Sequence, residues 1–197
     1  MRKKNKIFFK TLVFFFLIFP ANTESKVLSI GNTNAKVTVK VFSSLTCPAC
    51  ANFHSEIYYK LKKDFIDTNL VRFEHHPFPL DLAALNAEII LRCQINNEKR
   101  FSLLGKIYKD QKLWAVGGDI NKINDSIKKI GLENSLSKEQ MNICLKDEKN
   151  QDEILNQRIM AQKKYKVEST PTILVNEKKY KDKINYKNFK RVIEKLL

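Results

Sequence analysis

The sequence predicts an α/β protein in which a strand, helix and strand are followed by a long helical stretch, then by two strands and a closing helix. Three observations carry this reading. Val37, Val39 and Val41 alternate with Thr38 and Lys40, as on a strand with one buried face, and period two returns at residues 70–75. Between them Phe53, Ile57, Leu61 and Phe65 recur at helical spacing. From residue 80 to about residue 165 the spacing stays helical, and period two reappears only at Thr172, Ile173, Leu174 and Val175.

Taken in order, residues 26–30 form a short extended piece bounded by Gly31 and Asn32, a turn signal. The strand at 37–42 leads into a helix running to about residue 67, and the strand at 70–75 ends at Pro77 and Pro79. Such a unit is a right-handed crossover between parallel strands. Asp81 caps a helix whose stripe is Leu82, Leu85, Ile89 and Cys93. A second helix follows Asn97 with Phe101, Leu104 and Tyr108 inward, and Trp114 sits near its end as core or pocket wall. Gly117, Gly118 and Asp119 open a third, with Ile120, Ile123, Ile127 and Ile130 inward, which Gly131 should stop. Ser137 and Gln140 read as a capping box for a fourth carrying Met141 and Cys144, and a fifth spans about 151–165. After the strand at 172–175, Asn176, Glu177 and Lys178 turn the chain into a return strand at 179–181. Asn185 caps the closing helix, with Phe189, Val192, Ile193 and Leu196 inward.

The chemistry is concentrated where the first long strand meets its helix, at Cys47-Pro48-Ala49-Cys50. Two cysteines in C-x-x-C spacing close a small disulfide ring, and the first sits where free backbone N–H groups and the helix dipole favour a thiolate. That is the equipment for dithiol–disulfide exchange. The competing reading is a zinc site completed by His54 and by His75 or His76, but neither remaining cysteine, Cys93 or Cys144, belongs to a second C-x-x-C. The reading therefore assigns no metal ligand.

Net charge is +15, which invites a nucleic-acid or anionic-membrane partner. Residues 1–25 carry five of the cations against Glu24, and without them the charge is +11. The rest is scattered over amphipathic segments with no nucleic-acid-binding motif, so no nucleic-acid partner is expected. Residues 1–25 themselves run from basic to apolar to small and polar, ending in Thr23 and Ser25, as an export signal does. The apolar run, interrupted by Lys10, is shorter than the ~20 residues of a spanning helix. Export places the cysteines in an oxidising compartment, where disulfides persist.

With these residues in hand, the chain resembles the DsbA-like family of thioredoxin-fold oxidoreductases over nearly all of residues 26–197. The resemblance rests on Cys47-Pro48-Ala49-Cys50, on Phe78-Pro79-Leu80-Asp81 running into Ala83 and Ala84, and on the loop Val167-Glu168-Ser169-Thr170-Pro171-Thr172. It implies a thioredoxin-like core at 26–80 and 166–197, interrupted by a helical insertion at 81–165. It also implies an exported, periplasmic enzyme that needs no cofactor and passes disulfides to reduced or unfolded clients, and that a membrane redox partner resets. Cys47 is then the exposed, low-pKa nucleophile and Cys50 its buried partner, with Pro48 and Ala49 between them. A cis Pro171 would turn the Thr170 backbone towards an extended client, the alternative being an ordinary turn leading into the strand. A reductase or isomerase would use the same residues, and a non-catalytic metal-binding module stands as the reading from another class. Monomer is the default. Three positions depart from the family pattern. Ala49 stands where many members have histidine, Val41 where a buried acid often serves the second cysteine, and Glu168 where glycine is common.

Cys93 and Cys144 lie on apolar stripes of different helices. In an exported protein, two such cysteines are expected to form a structural disulfide, the alternative being two buried free thiols.

Overall fold

A computed structural model describes residues 27–197. The export segment expected at 1–25 lies outside the described residues. Five strands form one sheet: β1 (Leu28–Ile30), β2 (Val37–Ser43), β3 (Val71–Pro77), β4 (Thr172–Val175) and β5 (Lys178–Lys179), in the order β1-β3-β2-β4-β5. β2 and β3 pair in parallel, with Val39 opposite Phe73, and the other three pairings are antiparallel. The alternation read in the sequence decides which face is which. Val37, Val39, Val41, Phe73 and Ile173 belong to the main core, whereas Phe42 and Leu174 point to the opposite face, where they meet Phe78, Ala161 and Val167.

The crossover is α1 (residues 48–66), in which π-helical turns at His54–Tyr58 and Lys62–Ile66 interrupt the α-helix. An apolar residue at every fourth position would drift around an ideal α-helix by about 40° per step, because a turn holds only 3.6 residues. A π turn, closed by i→i+5 bonds, holds more and cancels that drift. Phe53, Ile57, Leu61 and Phe65 consequently all stay buried on one face. Each such side chain contributes about 1.5–3 kcal/mol of burial, so this stripe anchors the helix and with it the cysteines at its start.

Between β3 and β4 lie α2 (Leu82–Cys93), α3 (Asn97–Lys109), α4 (Gln111–Trp114), α5 (Ile120–Glu133), α6 (Lys138–Leu145) and α7 (Glu148–Tyr165), and α8 (Tyr186–Glu194) closes the chain. Asp81, Asn96, Asp119, Ser137, Asp147 and Asn185 each accept a backbone N–H in the first turn that follows them, as good N-caps do. Several expectations need correction. Gly131 does not stop α5 but lies inside it, because its missing side chain admits Met141, whose sulfur would sit 2.3 Å from an added Cβ. Ser137 caps α6, but the Gln140 side chain bonds the Cys93 carbonyl instead of closing a reciprocal box. α7 starts earlier than expected, at the Asp147 cap. Pro77 ends β3 from within, Trp114 occupies a helix of its own, and Leu82 and Leu196 face solvent. Among the described residues no helix is long and apolar enough to cross a membrane.

Candidate active site

Cys47 and Cys50 sit at the junction of β2 and α1, and three separate ties hold that junction. Thr46 Oγ1 donates to Asp81 Oδ2 at 2.7 Å, while the other oxygen of the same carboxylate accepts the Ala84 N–H at 2.7 Å. Ser44 Oγ accepts the Leu80 N–H and meets Thr46 Oγ1 at 3.1 Å. From the helical side, the buried Gln111 amide nitrogen donates to the carbonyls of Leu45 at 2.7 Å and Cys47 at 3.1 Å. The cap of α2 and the start of α4 therefore both hold the loop that carries Cys47.

Cys47 is itself the N-cap of α1, in extended conformation (φ −77°, ψ 118°), and Pro48 occupies the first turn, where its lack of an N–H costs nothing. Both thiols are free. A hydrogen bond from Cys50 lowers the Cys47 thiol to about 5 against the opposing effect of burial, and the Cys50 and Ala49 N–H groups add to it. Burial pushes Cys50 strongly the other way, and its neighbour Cys47 adds to the rise. The pair thus divides into a sulfur that holds negative charge and one that holds its proton. Cys47 was expected to be exposed, but only 9% of it reaches solvent, because Thr170 covers it, with its carbonyl oxygen 3.3 Å from Cys47 Sγ.

The Thr170–Pro171 peptide is cis. Pro48 and Ala49 open onto different sides of the cysteines. Ala49 joins Phe53, Pro171, Ile184 and Tyr186 around a groove of about 480 Å³, while Pro48 lines one of about 410 Å³ with Tyr59, Gly105, Tyr108 and Gln111. The Cys93 and Cys144 sulfurs are bonded across α2 and α6, with Cα atoms 6.1 Å apart. Of the histidines offered for zinc, His54 and His75 line one small cavity with Cys50, while His76 turns to Glu74. His54 is buried against Tyr58 and Tyr108, His75 pairs with Glu88 at 3.0 Å, and His76 pairs with Glu74 at 2.9 Å. No cluster that could hold a metal occurs among the described residues.

Sequence reasoning missed Gln111, Ser43 and Glu88. Glu88 carried a signal, since a carboxylate between Ala87 and Ile89 in an apolar helix face requires a partner. The inward register of β3, on which His75 follows Val71 and Phe73, was the signal that could have supplied that partner. Gln111 carried none, because a glutamine between Asp110 and Lys112 reads as surface.

The sequence matches the family described as Thioredoxin over residues 23–195. Disulfide bond formation protein D of Bacillus subtilis is 34% identical over 178 residues, covering 85% of this chain and 76% of that protein. A Rickettsia bellii protein named for protein-disulfide oxidoreductase activity is 32% identical over 149 residues, 75% of this chain and 56% of its own length. The chain spans little more than half the length of the curated Rickettsia relatives it matches. Among solved structures, alpha-DsbA1 of Wolbachia pipientis superposes with a TM-score of 0.80 at 25% identity, covering 87% of this chain and 91% of that one.

Proposed function

We propose, from the premise that the chain belongs to the DsbA-like thioredoxin family, that it is an exported thiol:disulfide oxidoreductase that introduces disulfides into client proteins through Cys47 and Cys50. A client thiolate attacks Cys47 Sγ of the oxidised pair. The Cys47–Cys50 bond breaks as the mixed disulfide forms, and Cys50 leaves and takes up a proton. A second client thiolate then attacks the client sulfur of the mixed disulfide. The client departs oxidised, Cys47 leaves as a thiolate, and the enzyme retains two electrons. A membrane redox partner withdraws them.

The observation that carries this reading is the division of the two thiols. A Cys47 lowered to about 5 is a good leaving group, so the reduced enzyme is favoured and its disulfide oxidises others. Thr170, whose carbonyl already touches Cys47 Sγ, supplies backbone at the place an extended client would pair, and Pro171 lines the adjacent groove. Residues 1–25 serve as the signal for the periplasm. Residues 26–80 and 166–197 form the thioredoxin-like core, 81–165 the helical insertion, and the enzyme acts as a monomer. The test is oxidative refolding of a reduced, disulfide-dependent client by the oxidised protein. Recovery of client activity that Cys47→Ser abolishes is expected, and refolding no faster than in buffer would overturn the assignment.

A further inference from the structure

A line of buried polar groups runs from Cys50 along the inner face of the sheet to α2, and exchange at the Cys47 sulfur leaves it unused. Glu88 Oε2 lies 3.0 Å from His75 Nε2, and His75 Nδ1 lies 3.2 Å from Ser43 Oγ. All three residues are at most 3% exposed. Ser43, His75 and Cys50 line one cavity of about 10 Å³, the room of a single water. His54 and Tyr108 line it too; His54 Nε2 is buried with no hydrogen-bond partner among the described residues, and the Tyr108 hydroxyl lies beside Ser43 Oγ. Val41, six residues before Cys47, lines the same space and offers no group that could carry a proton. On the other side of the imidazole, His75 and Glu88 line a second small cleft with the partly exposed Val27 and Arg92.

Resting on the exchange reading above, we propose that Ser43, His75 and Glu88 form a proton relay for Cys50. In the reduced enzyme Ser43 Oγ–H donates to His75 Nδ1, and His75 Nε2–H donates to the Glu88 carboxylate. When Cys50 attacks a mixed disulfide on Cys47, its S–H proton crosses the cavity to Ser43 Oγ as the Ser43 proton passes to His75 Nδ1. The product is an imidazolium held by Glu88, while the Cys50–Cys47 bond forms and the client leaves as a thiolate. In the oxidase direction Cys50 leaves Cys47 and the same proton returns. The cleft at Arg92 connects the pair to solvent at the end remote from the cysteines. Glu88 is the charge facing His75 from α2, with Arg92 Nε 4.0 Å behind it and Arg100 of α3 in the same cleft, and His54 and Tyr108 face the cavity from α1 and α3. Ser43, His75 and Glu88 are positioning residues, since none touches the client.

The test uses reduced protein and oxidised glutathione, with rapid quenching and mass spectrometry to separate attack by Cys47 from resolution by Cys50. A glutathione adduct that never forms in the wild type would count against the exchange reading itself. Given the adduct, Glu88→Gln and Ser43→Ala should slow its resolution at least about tenfold, the low end of what general acid–base help supplies. Their rates of Cys47 alkylation should be unchanged. In both variants the resolution rate should climb with pH more steeply than in the wild type, because hydroxide must then remove the Cys50 proton, a change that loosened packing alone would not produce. Resolution at the wild-type rate in either variant, or a pH profile parallel to wild type, overturns the relay.

Discussion

The Gln111 side chain donates to the Cys47 carbonyl at 3.1 Å, joining the helical insertion to the residue that starts the redox helix. The same nitrogen also serves Leu45. Gln111→Ala leaves both carbonyls buried and without this donor, a loss of about 1–3 kcal/mol. Urea unfolding should show a lower midpoint at constant slope. An unchanged midpoint would mean that the loop does not depend on this tie.

Ultraviolet absorbance of the thiolate against pH should show Cys47 ionising well below an ordinary thiol, near 5 rather than 9.0. The sign follows for stability. A depressed folded value means that the reduced protein gains stability from this group as pH rises from about 5 towards 9.0, and loses it as pH falls through the folded value. Reduced protein should therefore denature more readily near pH 5 than at neutrality by more than the oxidised form does.

Ala49→His places a further donor beside Cys47, at a position that lines the groove. The thiolate midpoint should fall further and the disulfide become more oxidising. An unchanged midpoint would show that the residues between the cysteines do not set the poise.

Cys93 and Cys144 enclose a separation of 51 residues, which by chain entropy corresponds to about 4 kcal/mol. Alkylation under mild reduction should label Cys47 and Cys50 first, leaving the second pair protected until strong reduction or unfolding. Cys93→Ala/Cys144→Ala should be less stable by about 2–4 kcal/mol while keeping its exchange activity. Early labelling of Cys93 would contradict a structural role.

Glu88→Ala removes the acceptor of the buried His75 N–H, and leaving a buried donor unsatisfied costs about 1–3 kcal/mol. Thermal unfolding should show a clear fall in midpoint. A variant as stable as wild type would mean that His75 loses nothing with its carboxylate.

The sheet and the redox turn were legible because single-period patterns and caps encode them locally. Val37, Val39 and Val41 named the buried face, Asp81 and Asn185 named helix starts, and C-x-x-C named the site. What escaped depends on partners distant in sequence. Gly131 reads as a helix stop until Met141 occupies the space it leaves. Cys47 reads as exposed until the Thr170 carbonyl covers it from 123 residues away. The π turns of α1 were not legible either, because the four-residue spacing of its stripe reads as an ordinary helix until its drift over three steps is counted.

The central claim is that a stabilised Cys47 thiolate makes this pair an oxidant of client thiols. The measurement that tests it most directly is the Cys47–Cys50 reduction potential, obtained by equilibrating the protein in glutathione buffers and quantifying the free thiols. The account expects a value towards about −120 mV, that of the strongly oxidising DsbA. A value near −270 mV, where thioredoxin lies, would contradict it and make the chain a reductase.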